Sequence, residues 1–189
     1  MITRSSAPGP IAACSTTPMW ARLLTNSNLA GGLQRTKVAN TTAATASAPL
    51  SLPFVLKSET LKAVTGSAAL GTAQRRPEVI ALITDIMIGP DVHAIRVFIN
   101  RDNLSEDVPD TDPHYVTTLG FLLAHSQGDH HTSRPSAIVN LTDTIATLSK
   151  ANALTDDKIT MQLLPVPAEG VALEAAGTVV PASVEIAVI

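Results

Sequence analysis

The sequence holds a single cysteine, Cys14, which excludes an internal disulfide framework, a thiolate zinc site and a CxxC redox pair. Aromatic residues are nearly as scarce. Trp20, Phe54, Phe98, Tyr115 and Phe121 are all there are, too few for a platform on which nucleobases stack. Charged residues make up only 15% of the chain, with a net charge of −3, so nothing in the overall balance attracts nucleic acid. No run approaches the roughly 18 apolar residues of a membrane-spanning helix. There is no GxGxxG and no GxSxG. Residues 66–71 (GSAALG) have the spacing of a phosphate-binding loop, but Thr72 and Ala73 stand where Lys and Ser or Thr are required. Without that lysine no charge holds a terminal phosphate.

What is present is enough apolar material for a core. The chain has 189 residues, 45% of them hydrophobic, and a mean hydropathy of +0.24, which fits one domain with at most a tail. Charge divides the chain unevenly. Residues 1–58 contain Arg4, Arg22, Arg35, Lys37 and Lys57 and no acid, whereas the rest carries an excess of acid. Residues 1–48 are rich in Ser, Thr, Ala, Asn and Gly, and side chains this small bury too little area to offset the ordering of the backbone. The expectation is a flexible low-complexity arm or linker over 1–48, interrupted by Met19, Trp20, Leu23, Leu24, Leu29 and Leu33, which read as a weakly helical anchor. An acid-free, Ser-rich start is shared by organelle transit peptides and by interdomain linkers. Residues 11–14 are too short for the roughly 7–15 apolar residues of a secretory signal, so a cytoplasmic location is the default expectation.

From residue 49 onward short apolar runs follow one another. Residues 50–56 predict a strand that Pro53 confines to an edge or bulge. Residues 78–88 are apolar on both faces, as in a central strand, and end at the turn-forming Gly89, Pro90 and Asp91. Residues 93–100 then put Ile95, Val97 and Ile99 on one face, and the two runs read as a hairpin. Tyr115, Thr117, Leu119, Phe121 and Leu123 alternate with Val116, Thr118, Gly120 and Leu122, a clear period of two. Residues 137–140 predict a short strand. It leads into a helix with Leu141, Ile145 and Leu148 on one face, Asn140 as its N-cap and Asp143 near the positive end of its dipole. Residues 158–166 alternate again, and residues 184–189 supply a last strand. The fold class is therefore all-β, an antiparallel β-sandwich with one short helix and a flexible N-terminal arm.

Candidate chemistry is confined to loops. His125, His130 and His131 lie within seven residues beside Asp129, and imidazoles on a loop can close around copper or zinc. No HExxH or H-x3-H places two of them on one helical face, and Gly128 opposes a helix, so a solvated polar loop is the simpler reading. His93 and His114 are isolated and read as strand-edge residues. Asp102, Glu106, Asp107, Asp110 and Asp112 offer oxygen ligands to calcium but lack the EF-hand order; Pro109 and Pro113 suggest an extended, charge-swollen loop instead. Sequons begin at Asn40, Asn103 and Asn140. They matter only in a glycosylating compartment, and Asn140 is better explained as a helix cap.

The order of these elements resembles a known domain. Residues 92–100 (VHAIRVFIN), an acidic Pro-containing loop, and residues 114–124 (HYVTTLGFLLA) look like the "VRVFVN … YVGTFGFF" core of the C-terminal domain of tyrosinases and polyphenol oxidases. The likeness continues through the His-bearing loop at 125–131, the strand and helix at 138–148, and residues 154–166, where that family has a "D.L.VTLVPV" strand. Residues 49–53 resemble its opening strand. The resemblance covers roughly residues 49–189 and is carried by spacing and strand pattern. It implies a β-sandwich packed over a separate helical domain that holds two copper ions in six histidines, shields them, and keeps the enzyme latent. Five histidines in this chain cannot supply that set. The expected function is thus a non-catalytic domain at 49–189 that covers or modulates a dicopper oxidase domain, on the same or a separate polypeptide. Copper would belong to that partner, and no cofactor, catalytic residue or nucleic-acid or membrane partner is expected on this chain. The alternative is a tyrosinase-type oxidoreductase component or small copper carrier using His125, His130 and His131. A sugar- or protein-binding sandwich without copper is a third possibility, weakened by the scarcity of aromatics.

Overall fold

The computed structural model describes residues 35–38, 43–66, 77–121, 134–154, 157–172 and 177–189. Among these the strands are β1 (Arg35–Val38), β2 (Leu50–Val55), β3 (Val79–Thr84), β4 (Met87–Ile88), β5 (Val92–Ile99), β6 (Tyr115–Gly120), β7 (Ala137–Asn140), β8 (Lys158–Pro167), β9 (Val179–Val180) and β10 (Ser183–Val188). The helices are α1 (Ser58–Thr65) and α2 (Thr142–Lys150). One sheet has the order β1-β10-β3-β7, a second β2-β8-β5-β6, and β4 pairs with β9 in a small ribbon. Every pairing is antiparallel. The all-β expectation holds, with two short helices among the described residues in place of one.

Alternation explains the two layers. In β2, Leu50, Leu52 and Phe54 are buried while Ser51, Pro53 and Val55 are exposed, and the buried three sit opposite Leu163, Met161 and Ile159 of β8. Ile95, Val97 and Ile99 extend the same inner face along β5. From the other sheet come Val79, Ala81 and Ile83, with Val139, Val184 and Ile186 beside them, all in one buried cluster. Each such side chain removed from water contributes on the order of 1.5–3 kcal/mol. Pro53, which cannot donate to a ladder, lies on an edge strand, as its chemistry demands.

Helix α2 adds Leu141, Ile145 and Leu148 to this core. The N-cap falls at Leu141, which makes no side-chain capping bond, and not at Asn140 as expected; one residue earlier, Asn140 Oδ1 accepts the Thr142 N–H at 2.9 Å. Thr142 in turn ties helix to sheet, its Oγ1 accepting the buried Val79 N–H at 2.9 Å. Helix α1 was outside expectation. Its periodic signal is only Leu61 and Val64, and it is ordered by packing against α2 and the core.

Three sequence expectations are corrected. Residues 78–88 and 93–100 do not form a hairpin, because β3 and β5 lie in opposite sheets. Asp85 takes a positive φ of 49°, a conformation that Asp tolerates better than most residues, and it ends β3 before the chain crosses over through β4. The crossing is tight: a Cβ on Gly89 would lie 2.7 Å from Thr178 N, so only glycine fits there. Next, Arg35–Val38, inside the stretch read as an arm, pairs with β10, and Ala44 is fully buried while exchanging backbone hydrogen bonds of 2.8 and 2.9 Å with Val179. Composition undervalued this segment because backbone pairing, which composition does not register, ties it to β10 and to Val179. The remaining arm residues, 1–34 and 39–42, lie outside the described residues. Finally, Tyr115 does not share a face with Leu119. A register shift between Val97 and Phe98 turns it to the outer surface.

Candidate functional site

On β5 the side chains of Ala94, Arg96 and Phe98 point away from the sandwich core, yet all three are buried. Arg96 and Phe98 are covered by residues 100–114, a strap that lies across the outer face of the second sheet. Arg96 holds it. Its Nη1 donates to the Glu106 carbonyl at 2.8 Å, and its Nη2 donates to the Val108 carbonyl and to Asp110 Oδ1 at 2.7 Å. The guanidinium also lies 5.0 Å from the Phe98 ring centroid and 5.5 Å from that of Tyr115, both within cation–π range. The two rings meet edge to face at 5.6 Å. Phe98, Val108 and Leu164, with Leu104 and Tyr115 against them, form a second small core.

The strap is built from turns. Asn100 and Asn103 adopt positive φ of 48° and 51°, Asp112 N–H donates to the Pro109 carbonyl at 3.0 Å, and Tyr115 N–H donates to the Asp112 carbonyl at 3.0 Å. The expectation of a charge-swollen extended loop is therefore overturned. One buried cation organises the segment and outweighs repulsion among carboxylates that stay in water. Asp102, Glu106, Asp107 and Asp110 are exposed. Asp112 faces inward, 3.3 Å from Arg101 Nε, and its Oδ1 accepts the His114 N–H. Among the described residues no three His, Cys, Asp or Glu groups are placed to hold an ion, so the acidic stretch does not assemble a calcium site there.

His93 is exposed on β5, and its carbonyl accepts the Phe121 N–H at 2.9 Å. His114 is half-buried, and its Nδ1 donates to the Ile99 carbonyl at 2.7 Å, which commits that nitrogen to holding the strap against β5. His125, His130, His131 and Asp129 lie outside the described residues, as do Cys14 and Asn40. The donors described do not fit a copper ion. Nor, among the described residues, is any helix long and apolar enough to cross a membrane.

Beside the strap, where β5 ends, is a polar hollow of about 370 Å³ lined by Asn100, Arg101, Asp102, Lys158, Thr160 and Gln162. Four hydrogen bonds fix its walls. Asn100 N–H donates to the Thr160 carbonyl at 2.9 Å, and Thr160 N–H donates to Asn100 Oδ1 at 2.6 Å. Arg101 N–H donates to Gln162 Oε1 at 2.8 Å, and Gln162 Nε2 donates to the Arg101 carbonyl at 2.9 Å.

Sequence reasoning missed both Arg96 and this hollow. A signal for the first was present: a lone cation inside the apolar run of β5, two residues from Phe98 and followed within sixteen residues by five acids.

The family model described as the chloroplastic polyphenol oxidase C-terminal domain matches residues 49–180. No curated protein matches the chain. Among solved structures, a recombinantly expressed latent aurone synthase, described as a polyphenol oxidase, is 15% identical with a TM-score of 0.46 over 79% of this chain and 26% of that one. Latent aurone synthase from a natural source is 14% identical with a TM-score of 0.45 over the same shares, 79% and 26%. Latent apple tyrosinase is 20% identical with a TM-score of 0.40 over 79% of this chain and 29% of that one. The chain thus spans little more than a quarter of the length of the structures it matches. The family match takes in most of the sequence, and on it the chain belongs to the polyphenol oxidase C-terminal domain family.

Proposed function

We propose that this chain is the non-catalytic cover of a dicopper phenol oxidase domain, with residues 49–189 as the covering body and the stretch before them as the connection. The observation that carries the reading is the family match over residues 49–180. That family is one of copper oxidases, and the copper is assigned here to the partner domain. Two features of this chain support a covering role. A cover has to hold its shape while it excludes water and substrate, and a two-layer core with a strapped outer face resists deformation. A cover also has to be inert, and three of the described titratable side chains are spent on structure: His114 on the Ile99 carbonyl, Asp110 on Arg96, Asp112 on Arg101.

The test is reconstitution. The full chain is mixed with a dicopper phenol oxidase domain lacking its own C-terminal domain, and diphenol oxidation and complex formation on a sizing column are measured together. A stable complex with lowered turnover is expected. Unchanged turnover with no complex overturns the proposal. Copper titration of the chain alone separates the carrier alternative: stoichiometric uptake abolished by His130→Ala and His131→Ala would replace the cover reading.

A further inference from the structure

The hollow at the end of β5 has a chemistry that the covering role does not use. Its four fixing bonds consume the side-chain oxygen Oδ1 of Asn100 and both polar atoms of the Gln162 side chain. They leave Asn100 Nδ2, Thr160 Oγ1 and Lys158 Nζ without a hydrogen bond among the described residues, and these three residues line the same space as Arg101. The Asn100 amide cannot be reversed, because its oxygen has to accept the Thr160 N–H. Its nitrogen is therefore a donor of settled direction. Arg101 is not saturated. Its Nε is buried against Asp112 Oδ2 at 3.3 Å, beyond the reach of a ligand, while its two terminal nitrogens make no hydrogen bond among the described residues; Asp112 offsets part of the guanidinium charge. Lys158 is exposed and has no ion-pair partner among the described residues. Two cations and an amide N–H, held by a wall that is already ordered, form a receptor for an oxyanion. Asp102 also lines the hollow, and its carboxylate opposes a second negative charge on the ligand.

We propose that this hollow binds a small monoanionic carboxylate, with Arg101 and Lys158 on its oxygens and Asn100 Nδ2 as a neutral donor, and that it discriminates against the dianion of phosphate. The site is preorganised, so binding does not have to pay for ordering the wall. It is also open to water, which screens the charges and keeps affinity modest.

The test uses the full chain, isotope-labelled for NMR and titrated separately with sodium acetate, sodium phosphate and sodium chloride at matched ionic strength. Saturable shifts at Asn100, Arg101 and the Lys158 ammonium are expected in acetate, weaker ones in phosphate, and none in chloride. Lys158→Gln removes one of the two cations and weakens acetate binding about tenfold. Because Lys158 is exposed, this variant keeps the melting temperature and loss of binding cannot be attributed to unfolding. Arg101→Gln abolishes saturation, and Asp102→Asn raises phosphate binding toward that of acetate. Shifts that grow linearly, that chloride reproduces, or that saturate at the same acetate concentration in Lys158→Gln as in the wild type overturn the proposal, as does phosphate binding more tightly than acetate. None of these readouts involves a copper domain, so the result is independent of the covering role.

Discussion

Replacing Arg96 by methionine keeps most of the apolar stem and removes the charge, which isolates what the guanidinium does for the strap. Three contributions are lost. Two hydrogen bonds from a charged group to the carbonyls of Glu106 and Val108 are each worth about 1.5–3 kcal/mol. Stacking against Phe98 and Tyr115 adds roughly 1–2 kcal/mol at a site this dry. The Asp110 pair adds at most about 1 kcal/mol, because that side chain is 69% exposed. The loss has a ceiling, since the strap can lift and return its carbonyls to water. Lifting exposes Phe98 and Val108 but restores chain entropy to the strap. A net loss of about 3 kcal/mol follows, a fall of roughly 6–12 °C in melting temperature for a domain of this size. Denaturant unfolding of wild type, Arg96→Met, Asp110→Asn and the double variant measures each contribution. Hydrogen exchange at Val108, whose N–H is bonded to the Ser105 carbonyl, reports whether the strap opens locally. The reasoning is refuted if Arg96→Met costs under about 1 kcal/mol, or if Asp110→Asn costs as much as Arg96→Met, because the surface ion pair would then be the true clamp.

Two further substitutions read the tightness of the fold. Gly177→Ala places a Cβ 2.8 Å from Gly89 C and from Pro90 N, backbone that cannot yield, and is expected to cost about 1–3 kcal/mol. Gly120→Ala meets nothing within 4 Å and is expected to be neutral or to gain up to about 0.5 kcal/mol through the unfolded chain; equal effects at the two positions would refute the packing argument. Thr142→Val leaves the buried Val79 N–H without the Oγ1 that accepts it and should cost about 1–3 kcal/mol, with Thr142→Ser restoring most of it. Thermal denaturation of the three chains checks this, and a serine variant no more stable than the valine one would count against it.

Alternation reveals which face a strand buries and is nearly silent on which strand it pairs with. The inner faces of β2, β5 and β8 were legible because each repeats its apolar residues every second position, and Pro53 marked an edge because its missing N–H forbids two neighbours. The pairing of β3 was not legible. Local turn residues at 89–91 argued for a hairpin, while the contacts that prevail, with β10 and β7, lie about fifty or more residues away. The Tyr115 reversal has the same origin, since the register shift that turns it exists only in the paired strands. Arg96 is the instructive failure. A cation within a strand is ordinarily assigned to solvent, and the acids that follow it to mutual repulsion. Here a planar group with five donors can satisfy two backbone carbonyls and two aromatic faces at once, so burying it stabilises more than it costs and gives the sheet a second core. The same reasoning separates the two polar loops after β5. The strap has a buried cation to organise it, and two of its carboxylates, Asp110 and Asp112, are paired with Arg96 and Arg101. The loop at 125–131 carries imidazoles, but its only acid is Asp129, and its neighbouring strand supplies no such anchor in the sequence. An ion-binding role for those histidines therefore has to come from the ion itself, which is why copper titration, and not any property of the folded strands, decides it.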